Sequence, residues 1–197
     1  MVRHAAASAD WLRARGIRAV LAAALVTCLL LGGAVLLVAN RDRASSANSL
    51  EHPVRPLDDA ATEAQVVDKA KQIVEIAGLR TTTAGYLLMS CKNRDDPPYQ
   101  GTVYLTFALP AETPADRYFR DVMAALVSHG WTEGLPPNDQ VFGRTLSHDD
   151  VTVIIYRHRD EVGAGVLRLY GQCRNINDHR RDGTAWVDIT SQFGAGR

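Results

Sequence analysis

The chain is poor in the features that announce chemistry. It holds three cysteines in 197 residues, too few for a small scaffold built on disulfides. It has no net charge, with 22 basic residues against 22 acidic, which argues against a basic nucleic-acid binder; no nucleic-acid partner is expected. It lacks a GxSxG elbow, an HExxH helix, a P-loop and a GxGxxG turn after a strand, the arrangements that hold nucleophiles, zinc and phosphates. There is no CxxC redox pair. His52, His129, His148, His158 and His179 nowhere stand four apart, the spacing of a helical zinc site. No catalytic residue, no metal site and no cofactor is expected, and the protein is read as non-enzymatic. At 46% apolar residues it is too hydrophobic for a disordered chain.

What is present is one long uncharged run. Ala19 to Ala39 reads AVLAAALVTCLLLGGAVLLVA, which as a helix would reach roughly 31 Å, close to the ~30 Å hydrocarbon core of a bilayer. Before it stand Arg3, Arg13, Arg15 and Arg18 against the lone Asp10; after it the signs are mixed. That asymmetry places the N-terminus inside. The expectation is therefore a single-pass protein of the cell membrane: residues 1–18 a cytoplasmic tail, 19–39 a transmembrane helix, the rest extracytoplasmic. A cleaved signal peptide competes, but its apolar region is usually about 7–15 residues. Acylation at Cys28 is a further reading, against which Thr27 is a poor residue just before a lipid-bearing cysteine.

Residues 40–57 (NRDRASSANSLEHPVRPL) carry polar residues and two prolines without apolar periodicity, a linker by composition. Residues 58–193 have the length of one domain. Val66, Val67, Ala70, Ile73 and Val74 recur at helical spacing between Asp58-Asp59 and Gly78. Ala84 to Lys92 is a short apolar run, read as a strand. In Tyr99 to Leu109, Val103, Leu105, Phe107 and Leu109 share one face and Thr102, Tyr104 and Thr106 the other. Thr113-Pro114-Ala115-Asp116 reads as a capped helix start. Gly130 ends that helix, and Trp131 folds back on the core. Val141 to Leu146, Val151 to Arg157, Val166 to Cys173 and Ala185 to Thr190 complete the strands. The predicted class is α+β: an N-terminal transmembrane helix, then an antiparallel sheet with both helices on one face.

Cys91 and Cys173 end predicted strands on the oxidising side, and Cys28 lies in the apolar run, so a Cys91–Cys173 disulfide is expected. The densest polar cluster surrounds the second of these. Arg174, Arg180 and Arg181 could together hold an anionic group, because the guanidinium fork matches phosphate or carboxylate; a solvated loop is the plainer reading. His148-Asp149-Asp150 and Asp95-Asp96 are read as turns rather than cation sites.

The arginine-rich start, the apolar run, the helix ending Val127-Ser128-His129-Gly130-Trp131, and Tyr170-Gly171-Gln172-Cys173-Arg174-Asn175 resemble the membrane-anchored or lipoprotein-like envelope proteins of mycobacteria and related actinobacteria. The resemblance implies a location, not a catalytic residue. The leading functional expectation is an outer domain that binds an envelope protein or another envelope component. The alternatives are a carrier of lipid or another apolar ligand between sheet and helices, and an extracytoplasmic hydrolase.

Overall fold

A computed structural model of the protein describes residues 53–93, 95–137, 139–183 and 186–194. The chain runs through helix α1 (Asp59–Ala77), strands β1 (Arg80–Ser90) and β2 (Tyr99–Ala108), and helix α2 (Ala115–Ser128). Strands β3 (Thr132–Glu133), β4 (Arg144–His148), β5 (Val151–Arg157), β6 (Ala164–Tyr170) and β7 (Val187–Asp188) follow, with a 3-10 turn over Thr190–Phe193.

Both helices obey their sequence. The Asp58 carboxylate accepts the Ala61 N–H at 2.7 Å, satisfying one of the unpaired donors at the start of α1. Gly78 closes it in the left-handed conformation, where an L side chain is strained. Val66, Val67, Ala70 and Ile73 form the buried stripe. In α2 the stripe is Phe119, Val122, Met123 and Leu126. Its start differs from expectation: Pro114, not Thr113, occupies the capping position, and no side chain caps the helix. Asp116 still meets the positive helix end and pairs with Arg120 at 2.8 Å. Gly130 ends the element, and Trp131 donates its backbone N–H to the Leu126 carbonyl and is 2% exposed.

The seven strands form one sheet in the order β3-β4-β5-β6-β2-β1-β7, each neighbouring pair antiparallel. Period two then sorts the side chains. Tyr86 opposes Val103 and Val103 opposes Leu169; Ala84, Leu105 and Leu167 form the next row. These residues face the helices. A Cβ at Gly101 would lie 2.7 Å from the Thr62 carbonyl oxygen, so α1 rests directly on β2. The Phe107 ring meets Tyr118 and Phe119 of α2. Both helices therefore cover one face, and the core lies between.

Several boundaries move. β1 begins at Arg80, because the polar stretch Thr81–Thr83 still pairs with β2, through an irregularity that brings the Thr82 and Thr83 hydroxyls to within 2.7 and 2.6 Å of the Thr106 hydroxyl. β4 begins at Arg144, and the turn after it is Asp149-Asp150, both with positive φ. β3 is a strand the sequence did not announce. The expected last strand shrinks to Val187–Asp188.

The predicted fold class is corrected in one respect: the fold of the described residues contains no transmembrane helix. Among the described residues no helix is long and apolar enough to cross a membrane. The two helices are amphipathic, and α1 alone carries Glu63, Asp68, Lys69, Lys71 and Glu75, charges that a bilayer core would not accept. The run Ala19–Ala39, the tail 1–18 and most of the linker lie outside the described residues. The architecture of the described residues is a seven-stranded antiparallel sheet with two helices on one face.

Candidate ligand-binding site

Among the described residues no helix lies over the opposite face of the sheet, and the alternation that fills the core leaves Thr102, Tyr104 and Thr106 of β2 there. Tyr104 stands beside Arg168 of β6, and Thr102 beside Tyr170. The last segment of the chain builds a wall along this floor. β7 pairs with β1 at Gly85–Asp188 and Tyr86–Val187. Beyond it the Ile189 N–H donates to the Ala84 carbonyl at 2.9 Å, and the Ala84 N–H donates to the Thr190 hydroxyl at 2.9 Å. These bonds hold Trp186 over Gly85, where a Cβ would stand 3.2 Å from the indole Cε3. Glycine permits the close approach.

The result is a cleft of about 620 Å³, open to solvent on one side. Three aromatic residues line it: Tyr104, Tyr170 and Trp186. Trp186 is 47% exposed, and its ring centroid lies 6.0 Å from that of Tyr104. The guanidinium of Arg168 sits 5.3 Å from the Tyr104 centroid and 5.9 Å from that of Tyr156, a cation–π arrangement. Arg168 has no acidic partner among the described residues. Burial raises the Tyr156 phenol above its ordinary value, and the nearby Arg168 charge works against that rise. Asp188 also lines the cleft, but its Oδ1 accepts the Thr190 N–H at 2.8 Å. Thr102 lines it too, 2% exposed, with a hydroxyl that has no hydrogen-bond partner. Such an orphaned group costs about 1–3 kcal/mol.

A second polar assembly surrounds the disulfide. Cys91 and Cys173 are joined, with Cα atoms 6.0 Å apart. Asn175, fully buried, exchanges two backbone hydrogen bonds with Tyr99 and donates its side-chain N–H to Asp59 at 2.7 Å. His179 lies between two carboxylates, with Nε2 2.9 Å from Asp59 Oδ1 and Nδ1 2.6 Å from Asp182 Oδ2, and its ring meets Tyr99 edge-on. The Asn175 hydrogen bond leads the forces that hold the Asp59 carboxyl below its usual range; burial opposes it, and Asn177 and His179 assist. For His179 burial is the largest influence and disfavours the charged ring, but the Asp182 and Asp59 hydrogen bonds and charges together outweigh it and raise the imidazole.

The three arginines singled out from the sequence do not converge. Arg174 turns back: its Nε and Nη2 donate to the Arg55 carbonyl, and its Nη1 donates to Gln172 Oε1 at 2.7 Å. Arg180 donates to Asp178 at 3.1 Å. Arg181 is exposed. The Asp149 carboxylate is taken by Lys69 at 2.8 Å, and no group of three or more metal-ligating side chains occurs among the described residues. The space between helices and sheet, where an apolar ligand would need to sit, is filled by Val66, Ile73, Leu105, Phe107 and Leu126, all fully buried.

The cleft was missed in the sequence although its signals are there. Gly85 interrupts an apolar strand, which marks a close approach. Tyr104, Arg168 and Tyr170 fall on the non-core side of the alternation.

Comparison with known proteins bears out the resemblance read from the sequence. Residues 58–192 match the family described as "Putative lipoprotein LppJ". Proteins of that name in Mycobacterium tuberculosis (strains CDC 1551 / Oshkosh and ATCC 25618 / H37Rv) and in Mycobacterium bovis (strain ATCC BAA-935 / AF2122/97) are 41% identical over 176 residues, covering 89% of this chain and 91% of theirs. No solved structure matches.

Proposed function

From the premise that the chain belongs to the LppJ lipoprotein family, we propose that it is an envelope-associated lipoprotein whose domain binds a component of the envelope without chemical turnover. The observation that carries the binding part is the cleft: three aromatic side chains and a guanidinium without an acidic partner, on a sheet face that no helix covers among the described residues. A few placed polar groups among aromatic walls are the composition of a ligand site. Its one acidic side chain already accepts a backbone N–H, which suits holding better than proton transfer.

The anchor in this reading is a lipid on Cys28. Cys91 and Cys173 are bonded to each other, so Cys28 is the remaining cysteine. A stretch of 176 residues within a chain of 197 begins at or before residue 22, so the part shared with the mycobacterial relatives includes Cys28. Metabolic labelling with an alkyne fatty acid in a mycobacterial host tests this. The full-length chain takes up label and Cys28→Ala does not; label retained by Cys28→Ala overturns the anchor.

Binding is tested by sedimenting the intact protein with purified mycobacterial cell-wall material. Trp186→Ala and Tyr104→Ala lose most of the cosedimenting fraction while keeping the native circular dichroism spectrum. Equal cosedimentation of wild type and both variants, or none by the wild type, refutes the cleft as the binding site.

A further inference from the structure

Resting on that reading of the cleft, we propose that its ligand is an acidic sugar, a pyranose ring that carries a carboxylate. Two independent features converge on that class. The first is the aromatic lining. A pyranose presents a flat apolar face of C–H groups that packs on an aromatic ring, and Trp186 and Tyr104 offer adjoining ring surfaces. The second is charge. Arg168 stands over Tyr104 with no carboxylate partner among the described residues, and a guanidinium fork pairs two-to-two with a carboxylate.

Shape decides against a fatty acid, which would also bring a carboxylate. The cleft is open along one side. An acyl chain lying there would leave much of its length in water, losing the burial that drives its binding. A sugar tolerates one wet face.

The probes are glucuronic acid, glucose and palmitate, titrated into the full-length protein and followed by saturation-transfer NMR. Glucuronic acid binds at least about tenfold more tightly than glucose, the ratio expected for a charge-assisted hydrogen-bonded pair. Arg168→Gln abolishes that preference while leaving the weak glucose signal. Added salt weakens glucuronic acid and not glucose. Equal binding of the two sugars, or a preference that survives in Arg168→Gln, overturns the acidic-sugar assignment, as does palmitate displacing glucuronic acid. If neither sugar binds while cell-wall cosedimentation still depends on Trp186, the acidic-sugar assignment fails and the cleft remains the binding site. If that cosedimentation is also independent of Trp186, both fail.

Discussion

The indole of Trp186 lies over the backbone of Gly85, with its Cε3 3.2 Å from the place a Cβ would take. Wall and floor of the cleft meet at this contact, 101 positions apart in the chain. The substitution Gly85→Val forces the indole away. We expect a red shift of tryptophan emission and loss of cell-wall cosedimentation, with secondary structure retained, because β1 and β2 keep ten residue pairings. An unchanged emission spectrum would show that the indole does not depend on this glycine.

Gly101 has a different neighbour. A Cβ there meets the Thr62 carbonyl oxygen at 2.7 Å and Val66 Cγ2 at 2.9 Å. The first of these is backbone and cannot rotate aside. Gly101→Ala lifts α1 from the sheet, and overpacking of this kind costs about 1–3 kcal/mol. Urea denaturation reads it as a lower midpoint with an unchanged slope.

The disulfide acts through the unfolded chain. Cys91 and Cys173 are 82 positions apart, and the chain-entropy relation for a loop of that length gives about 4.5 kcal/mol, an upper figure because native strain subtracts from it. The double variant Cys91→Ala/Cys173→Ala is expected to lose about 2–5 kcal/mol of stability. Reductant lowers the melting temperature of the wild type and leaves that of the variant where it is.

His179 ties the segment after β6 to the start of α1, and its contribution depends on pH. Its folded value is raised above the ordinary 6.5. The stabilisation is therefore fully present below the unfolded value and disappears as pH rises through the folded one. Asp59 runs the other way: its value is lowered, so its contribution is present above the ordinary carboxylate range and disappears as pH falls through the folded value. His179→Gln flattens the loss of stability on the alkaline side, measured by denaturant midpoints from pH 5.5 upward. It weakens the loss on the acid side without removing it, because the Asn175 hydrogen bond that leads the lowering of Asp59 remains. A variant whose alkaline slope matches that of the wild type would show the clamp to be electrostatically idle.

The parts of the fold legible in the sequence are those set by local periodicity. Val103, Leu105 and Phe107 alternate with Thr102, Tyr104 and Thr106, and each set lies on the face that alternation assigns. The stripe from Val66 to Ile73 and the fold-back of Trp131 follow from spacing and from a helix-ending glycine. What escaped is set by distant partners. Nothing near Arg174 announces that its guanidinium ends on the carbonyl of Arg55, 119 positions away. Trp186 sits in a segment that pairs with β1 through two residues only, too few for a period to show. The expected transmembrane helix has no counterpart among the described residues, because hydropathy reports where a segment can partition, not which architecture the folded domain has.

The position of the disulfide has a consequence for resistance to proteolysis. The irregular segment between β3 and β4, with Leu135 exposed near its start, is the kind of loop where proteases cut. Any cut there falls between Cys91 and Cys173, so one fragment holds one sulfur and the second fragment holds the other. The β4-β5-β6 meander and Trp186 would stay covalently attached to α1, β1 and β2 after the backbone is severed. A nicked molecule therefore sheds nothing into the surroundings until a reductant reaches it.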